Sequence, residues 1–88
     1  MQWTIRLARR ADKEFDKLSS EWQDRIETAI DQMKDNPFHG DVIALRGKQW
    51  KGRYRRIVGR YRLIFIPYHQ QRIVEIVTIR LRTEKTYR

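Results

Sequence analysis

The sequence predicts an α+β domain of order β-α-α-β-β-β, in which an N-terminal strand and a helical hairpin pack on an antiparallel twisted sheet. Two observations predict it. Apolar residues recur at helical spacing from Ala8 to Met33, and from Val42 onward β-branched and aromatic residues dominate, broken by Gly47, Gly52, Gly59 and Pro67. A length of 88 residues fits one domain spanning 1–88 with one modest core.

The elements follow in chain order. Trp3-Thr4-Ile5-Arg6-Leu7 alternates apolar and polar with period two, the mark of a short half-buried strand. Ala8, Ala11, Phe15 and Leu18 lie at helical spacing and predict a first helix. Trp22, Ile26, Ala29, Ile30 and Met33 predict a second, opened by a capping box of Ser20 and Gln23 and closed near Asn36-Pro37. The break around Ser19-Ser20 is short, so the helices fold back on each other. Three strands are expected at roughly 53–58, 61–66 and 72–81, joined by a tight turn at Gly59-Arg60 and a loop over 67–71. Links this short imply antiparallel neighbours.

Charge is segregated along the chain. Residues 1–45 hold 7 Lys+Arg against 9 Asp+Glu, net −2, whereas residues 46–88 hold 13 against 2, net +11. The second half therefore expects an anionic partner, and 10 of its 13 cations are arginines, whose planar fork suits phosphate. Strand parity sharpens this. Tyr61, Leu63 and Phe65 share one side of the middle strand; Val77, Ile79 and Leu81 share one side of the last. If those apolar sets face the helices, Arg62, Arg80 and Arg82 project from the other face, and a polyanion groove follows from spacing.

Several function classes are excluded or disfavoured. No run approaches the roughly 18 apolar residues of a membrane span, and no secretory signal pattern opens the chain, so a cytoplasmic location is expected. The absence of cysteine excludes disulfides, thiol catalysis and thiolate metal sites. His39 and His69 fall in loops, with no spacing that builds a zinc site, and read as solvated; no metal or cofactor is expected. Trp3 and Trp22 read as core. Trp50 suits either a stacked base or a loop anchor.

The ordering of Asn36-Pro37-Phe38, Leu45-Arg46-Gly47, the run from Tyr54 through Phe65 and the closing Arg82-Thr83-Glu84-Lys85-Thr86-Tyr87 resembles the RelE/ParE toxin superfamily over almost the whole chain. Its most specific part is Val58-Gly59-Arg60-Tyr61-Arg62, similar to the family's Val-Gly-(any)-Tyr-Arg signature. The resemblance implies a compact toxin neutralised by a cognate antitoxin. One branch of the family cuts mRNA in the ribosomal decoding site, and the other inhibits DNA gyrase. The nuclease branch implies roles for Arg62 and Arg82 at the scissile phosphate and for Tyr87 near the cleaved bond, with Arg55 a matching basic residue after the strand's tyrosine. Two positions depart from that branch. Ile57 stands where a second basic residue is common, the extra arginine being Arg56 on the other parity, and Leu81 precedes Arg82 where a basic residue or histidine is frequent.

Metal-free RNA cleavage through the 2′-hydroxyl needs a proton acceptor, a stabiliser of phosphorane charge and a proton donor to the leaving oxygen. Arginine fits only the second role, because it does not release its proton near neutrality. Arg62 and Arg82 are therefore the expected clamps. Tyr87 is the expected base or stacking platform, with Glu84 the competing base and Lys85 a third proton-transfer group. Arg46, Lys48, Lys51, Arg53, Arg55, Arg56, Arg60 and Arg80 complete the expected RNA-binding set. The leading reading is a ribosome-associated mRNA endonuclease with mRNA, ribosome and antitoxin as partners. The alternatives are a non-enzymatic gyrase inhibitor and an inactive interaction module.

Overall fold

The computed structural model describes residues 2–82. β1 (Thr4–Leu7) leads into α1 (Arg9–Asp16) and α2 (Ser20–Asp35), followed by β2 (Val42–Ala44), a short 3₁₀ turn at Lys48–Trp50, β3 (Tyr54–Val58), β4 (Tyr61–Tyr68) and β5 (Ile73–Leu81). One five-stranded sheet has the order β1-β5-β4-β3-β2. The expected α+β order holds, with two differences.

First, the sheet is mixed. β1 pairs parallel with β5, because the helical hairpin carries the chain back across the sheet between them. Second, β2 adds an edge strand antiparallel to β3, pairing Val42 with Arg56 and Ala44 with Tyr54. Its three residues are too few for the period-two signal to register.

The core lies between the helices and one sheet face. Ile26, Ala29 and Met33 form the buried stripe of α2 and Ala11 that of α1; Ala11, Ile26 and Met33 meet Trp3, Leu63, Phe65, Val74, Ile76 and Ile79. Ile76 and Ile79 both join this core although three residues apart. A bulge explains it: Ile64 pairs with Thr78 but Phe65 pairs with Ile76, so Val77 is an extra residue and the alternation inverts there. Val77, expected beside Ile79, is therefore absent from the core cluster.

The helix ends correct two further expectations. The cap of α2 is Ser19, whose hydroxyl accepts from the Trp22 amide at 3.5 Å, and not Ser20. Gln23 serves the hairpin instead, donating from Nε2 to the Phe15 carbonyl at 3.0 Å.

β1 ends at Leu7, so β5 loses its parallel neighbour beyond Ile76. α1 lies against that open edge. Glu14 Oε1 accepts from the Ile79 amide at 2.9 Å and from the Thr78 hydroxyl at 2.7 Å, standing in for the missing strand. Glu14→Ala would leave two enclosed donors without acceptors, and we expect it to lower the unfolding free energy by about 1–2 kcal/mol in urea titration, with Glu14→Gln losing less.

Candidate nucleic-acid interface

The sheet face turned away from α2 carries the arginines expected from parity. In an antiparallel pair, directly opposed residues point to the same side, so Ile57, Arg62 and Arg80 form one row across β3, β4 and β5. Arg55, Ile64 and Thr78 form the next. This face is not bare: Ile64 is fully enclosed and Thr78 is covered by its bond to Glu14. Arg62 and Arg80 are nevertheless directly opposed like charges, an arrangement that raises the positive potential of this face.

At the end of this row, Arg60, Arg62, Leu81 and Arg82 line an open cleft of about 600 Å³. Backbone bonds fasten its walls together. The Arg82 amide donates to the Arg60 carbonyl at 2.8 Å, Arg62 Nη2 donates to the Arg82 carbonyl at 2.6 Å, and Arg82 Nη1 reaches the Gly59 carbonyl at 3.5 Å. The last strand's exit is thus tied to the β3–β4 turn, and three arginines from two stretches of chain, the start of β4 and the end of β5, converge.

The turn is set from below by α2. Gly59 has φ 57°, and a Cβ built there would lie 2.6 Å from Trp22 Cη2. The same indole has the guanidinium carbons of Arg25 and Arg60 at 4.7 and 5.2 Å from its ring centre and stands edge-on to Tyr61 at 5.1 Å. Trp22, read from the sequence as core, is a half-buried floor for the turn bearing Arg60. Helical periodicity alone carries no signal for that contact.

The rest of the expected set is dispersed. Arg56 lies on the helix-facing side, 8% exposed, donating from Nη1 to the His39 carbonyl at 2.8 Å and from Nη2 to Gln32 Oε1 at 2.6 Å. Burial pulls its pKa below that of a free arginine, with Asp41 opposing the shift. It fastens β3 to α2 and does not share the arginine face. Arg56→Ala is expected to cost about 1–2 kcal/mol in chemical denaturation, because it removes two charge-assisted bonds and the packing of a buried side chain between β3 and α2, and to leave RNA affinity of the folded protein unchanged.

Arg55 is on the arginine face but pairs with Asp41 at 3.5 Å. Arg53 donates to the Gln49 carbonyl at 2.6 Å. Arg46, Lys48 and Lys51 are exposed on the loop before Tyr54, at the opposite end of β3 from the cleft, about 14 Å away along the strand. His69 is exposed, as expected, and its ring also stacks on Phe38 at 5.7 Å, 7° from parallel, and meets Trp3 edge-on. Glu84, Lys85 and Tyr87 lie outside the described residues. Among the described residues, no cluster of three or more His, Asp or Glu side chains is placed to hold a metal ion.

A sequence model of the ParE toxin of type II toxin-antitoxin systems (parDE) matches residues 5–86. The chain belongs to this toxin family, within the RelE/ParE superfamily. Its structure is similar to that of solved relatives. One chain of the archaeal RelE–RelB complex from Pyrococcus horikoshii OT3 is 21% identical, with 96% of this toxin and 99% of that chain covered and a TM-score of 0.81. The intact RelBE toxin-antitoxin complex of E. coli gives 19% identity, 93% and 99% coverage, and 0.76. A YoeB/ParE toxin from Agrobacterium tumefaciens gives 15%, 89% and 96%, and 0.77. At such identities the likeness is one of fold. No curated protein gives a significant match to the toxin's sequence.

Within that fold, what the cleft can do is defined by its donors. Guanidinium groups hold and neutralise a phosphate but accept no proton, so these walls supply binding and charge stabilisation only. No helix among the described residues is long and apolar enough to cross a membrane.

Proposed function

We propose that this toxin acts in the cytoplasm as a ribosome-associated mRNA endonuclease held in check by a cognate antitoxin. The observation that carries the reading is the convergence of Arg60, Arg62 and Arg82 on one cleft, with Arg80 directly opposite Arg62. A phosphodiester laid there meets fixed positive charge from two sides. Attack by the adjacent 2′-hydroxyl builds negative charge on the phosphorane oxygens, and Arg62 and Arg82 stabilise that charge more than the ground state's. Tyr87 takes the role of base or stacking platform, with Glu84 and Lys85 as the other proton-transfer groups. No cofactor enters this scheme. Antitoxin partnership is supported by the family and by similar chains whose structures are toxin-antitoxin complexes.

The second reading, a non-enzymatic gyrase inhibitor, is favoured by the ParE name of the matching family and by Ile57, an apolar residue directly opposite Arg62. Two assays on the purified toxin separate them. Translating ribosomes with mapped mRNA 3′ ends should yield cuts inside codons. Gyrase supercoiling assays should run at the uninhibited rate. Intact mRNA with blocked supercoiling would reverse the assignment.

A further inference from the structure

A second basic surface lies on α1, where the net charge of the N-terminal half gives no hint of it. At about 100° per residue, Arg9, Lys13, Lys17 and Arg10 fall within an arc of roughly 100°. Ala11 and Phe15 take the buried side, and Asp12 looks toward the α1–α2 groove that Glu27 and Asp31 also line. The −2 total therefore averages a cationic ridge with an acidic groove. Asp16 flanks the ridge at its margin, and Lys17 keeps helical backbone angles as the cap, so the cations run for about 12 Å.

These side chains line one open depression of about 490 Å³ together with Glu14. All four cations are exposed. Glu14, the acid among them, has Oε1 engaged by Thr78 and Ile79 and its other oxygen 3.5 Å from Arg10 Nε, so its carboxylate is turned to the sheet. That same bond places the ridge beside the arginine face: Thr78 is two residues from Arg80, about 7 Å along the strand, and Arg80 opposes Arg62.

We propose that the α1 ridge is a second RNA contact, gripping the backbone of a double-helical RNA segment while the arginine cleft holds a single strand. The inference rests on the RNA reading above and extends it to a structured partner. A rigid row of cations along a wide, open depression suits a duplex, whose recognition runs through phosphates and sugar hydroxyls. An acidic protein segment is the weaker occupant, because protein interfaces are anchored by apolar side chains and none lines this depression.

The test compares wild type with Lys13→Ala/Lys17→Ala in binding an RNA duplex of about 16 base pairs and a single-stranded RNA of equal length. The variant is expected to bind the duplex roughly tenfold more weakly near 0.1 M salt, with a salt-dependence slope shallower by about 2, because two phosphate contacts are gone. Single-strand affinity and the thermal midpoint should match wild type. Unchanged duplex affinity and slope would overturn the ridge and leave the cleft reading standing. Failure of wild type to bind either RNA would overturn both. Loss of antitoxin binding with duplex binding intact would make the ridge a protein contact and overturn the proposal as well.

Discussion

Arg62→Ala is expected to slow RNA cleavage by about 10²–10³-fold, the usual consequence of removing one donor aimed at developing oxyanion charge. The effect should fall on kcat more than on KM, because Arg60, Arg80 and Arg82 still attract the backbone while the lost fork acts on the phosphorane. Stability should hardly change. The mutation removes the Arg62–Arg82 carbonyl bond at a partly exposed site, worth about 1 kcal/mol or less, and relieves the repulsion between Arg62 and Arg80. Single-turnover cleavage together with thermal unfolding of the variant checks both halves. A variant that cuts at the wild-type rate would remove Arg62 from the chemistry.

Gly59→Ala is the substitution expected to damage the fold most. A φ of 57° costs an L-residue about 1–2 kcal/mol, and a Cβ 2.6 Å from the Trp22 ring forces the turn off α2 at a further cost of about 1–3 kcal/mol. We expect a total loss of roughly 2–5 kcal/mol in urea unfolding, and weaker RNA binding at temperatures where the chain remains folded, because Arg60 and the Gly59 carbonyl that receives Arg82 move with the turn. Adding Trp22→Leu should restore the steric part and not the backbone part, a coupling that a double-mutant cycle resolves. If Gly59→Ala unfolds at the wild-type midpoint, the packing of the turn on Trp22 is not what fixes it.

How far the sequence disclosed all this depended on the reach of each interaction. The rows Tyr61/Leu63/Phe65 and Arg62/Arg80 were legible because strand alternation is local and needs no knowledge of partners. Val77 was misplaced because a bulge inverts alternation and depends on how β4 and β5 register, a tertiary matter. The parallel pairing of β1 with β5 is likewise set by the crossover and not by any residue in Trp3–Leu7. Arg56 counted as one cation among many until its neighbours Gln32 and His39, far away in sequence, showed it enclosed. Net charge summed over halves hid the ridge on α1, since a sum discards direction around a helix.

The cleft itself was only half visible. Parity put Arg62, Arg80 and Arg82 on one face, but Arg60 joins through a turn whose shape rests on Trp22, and the backbone bond that ties Arg82 to that turn is a tertiary contact. None of these contacts leaves a periodic trace.

The most direct test of the cleft is nuclear magnetic resonance of arginine Nε–H groups while a non-cleavable RNA, 2′-deoxy at the scissile position, is titrated in. Resonances of Arg60, Arg62 and Arg82 should move together and saturate at one concentration, and that of Arg56 should stay still. Saturating binding that leaves those three unmoved, or that shifts only the loop around Lys48 and Lys51, would contradict the placement of the phosphate.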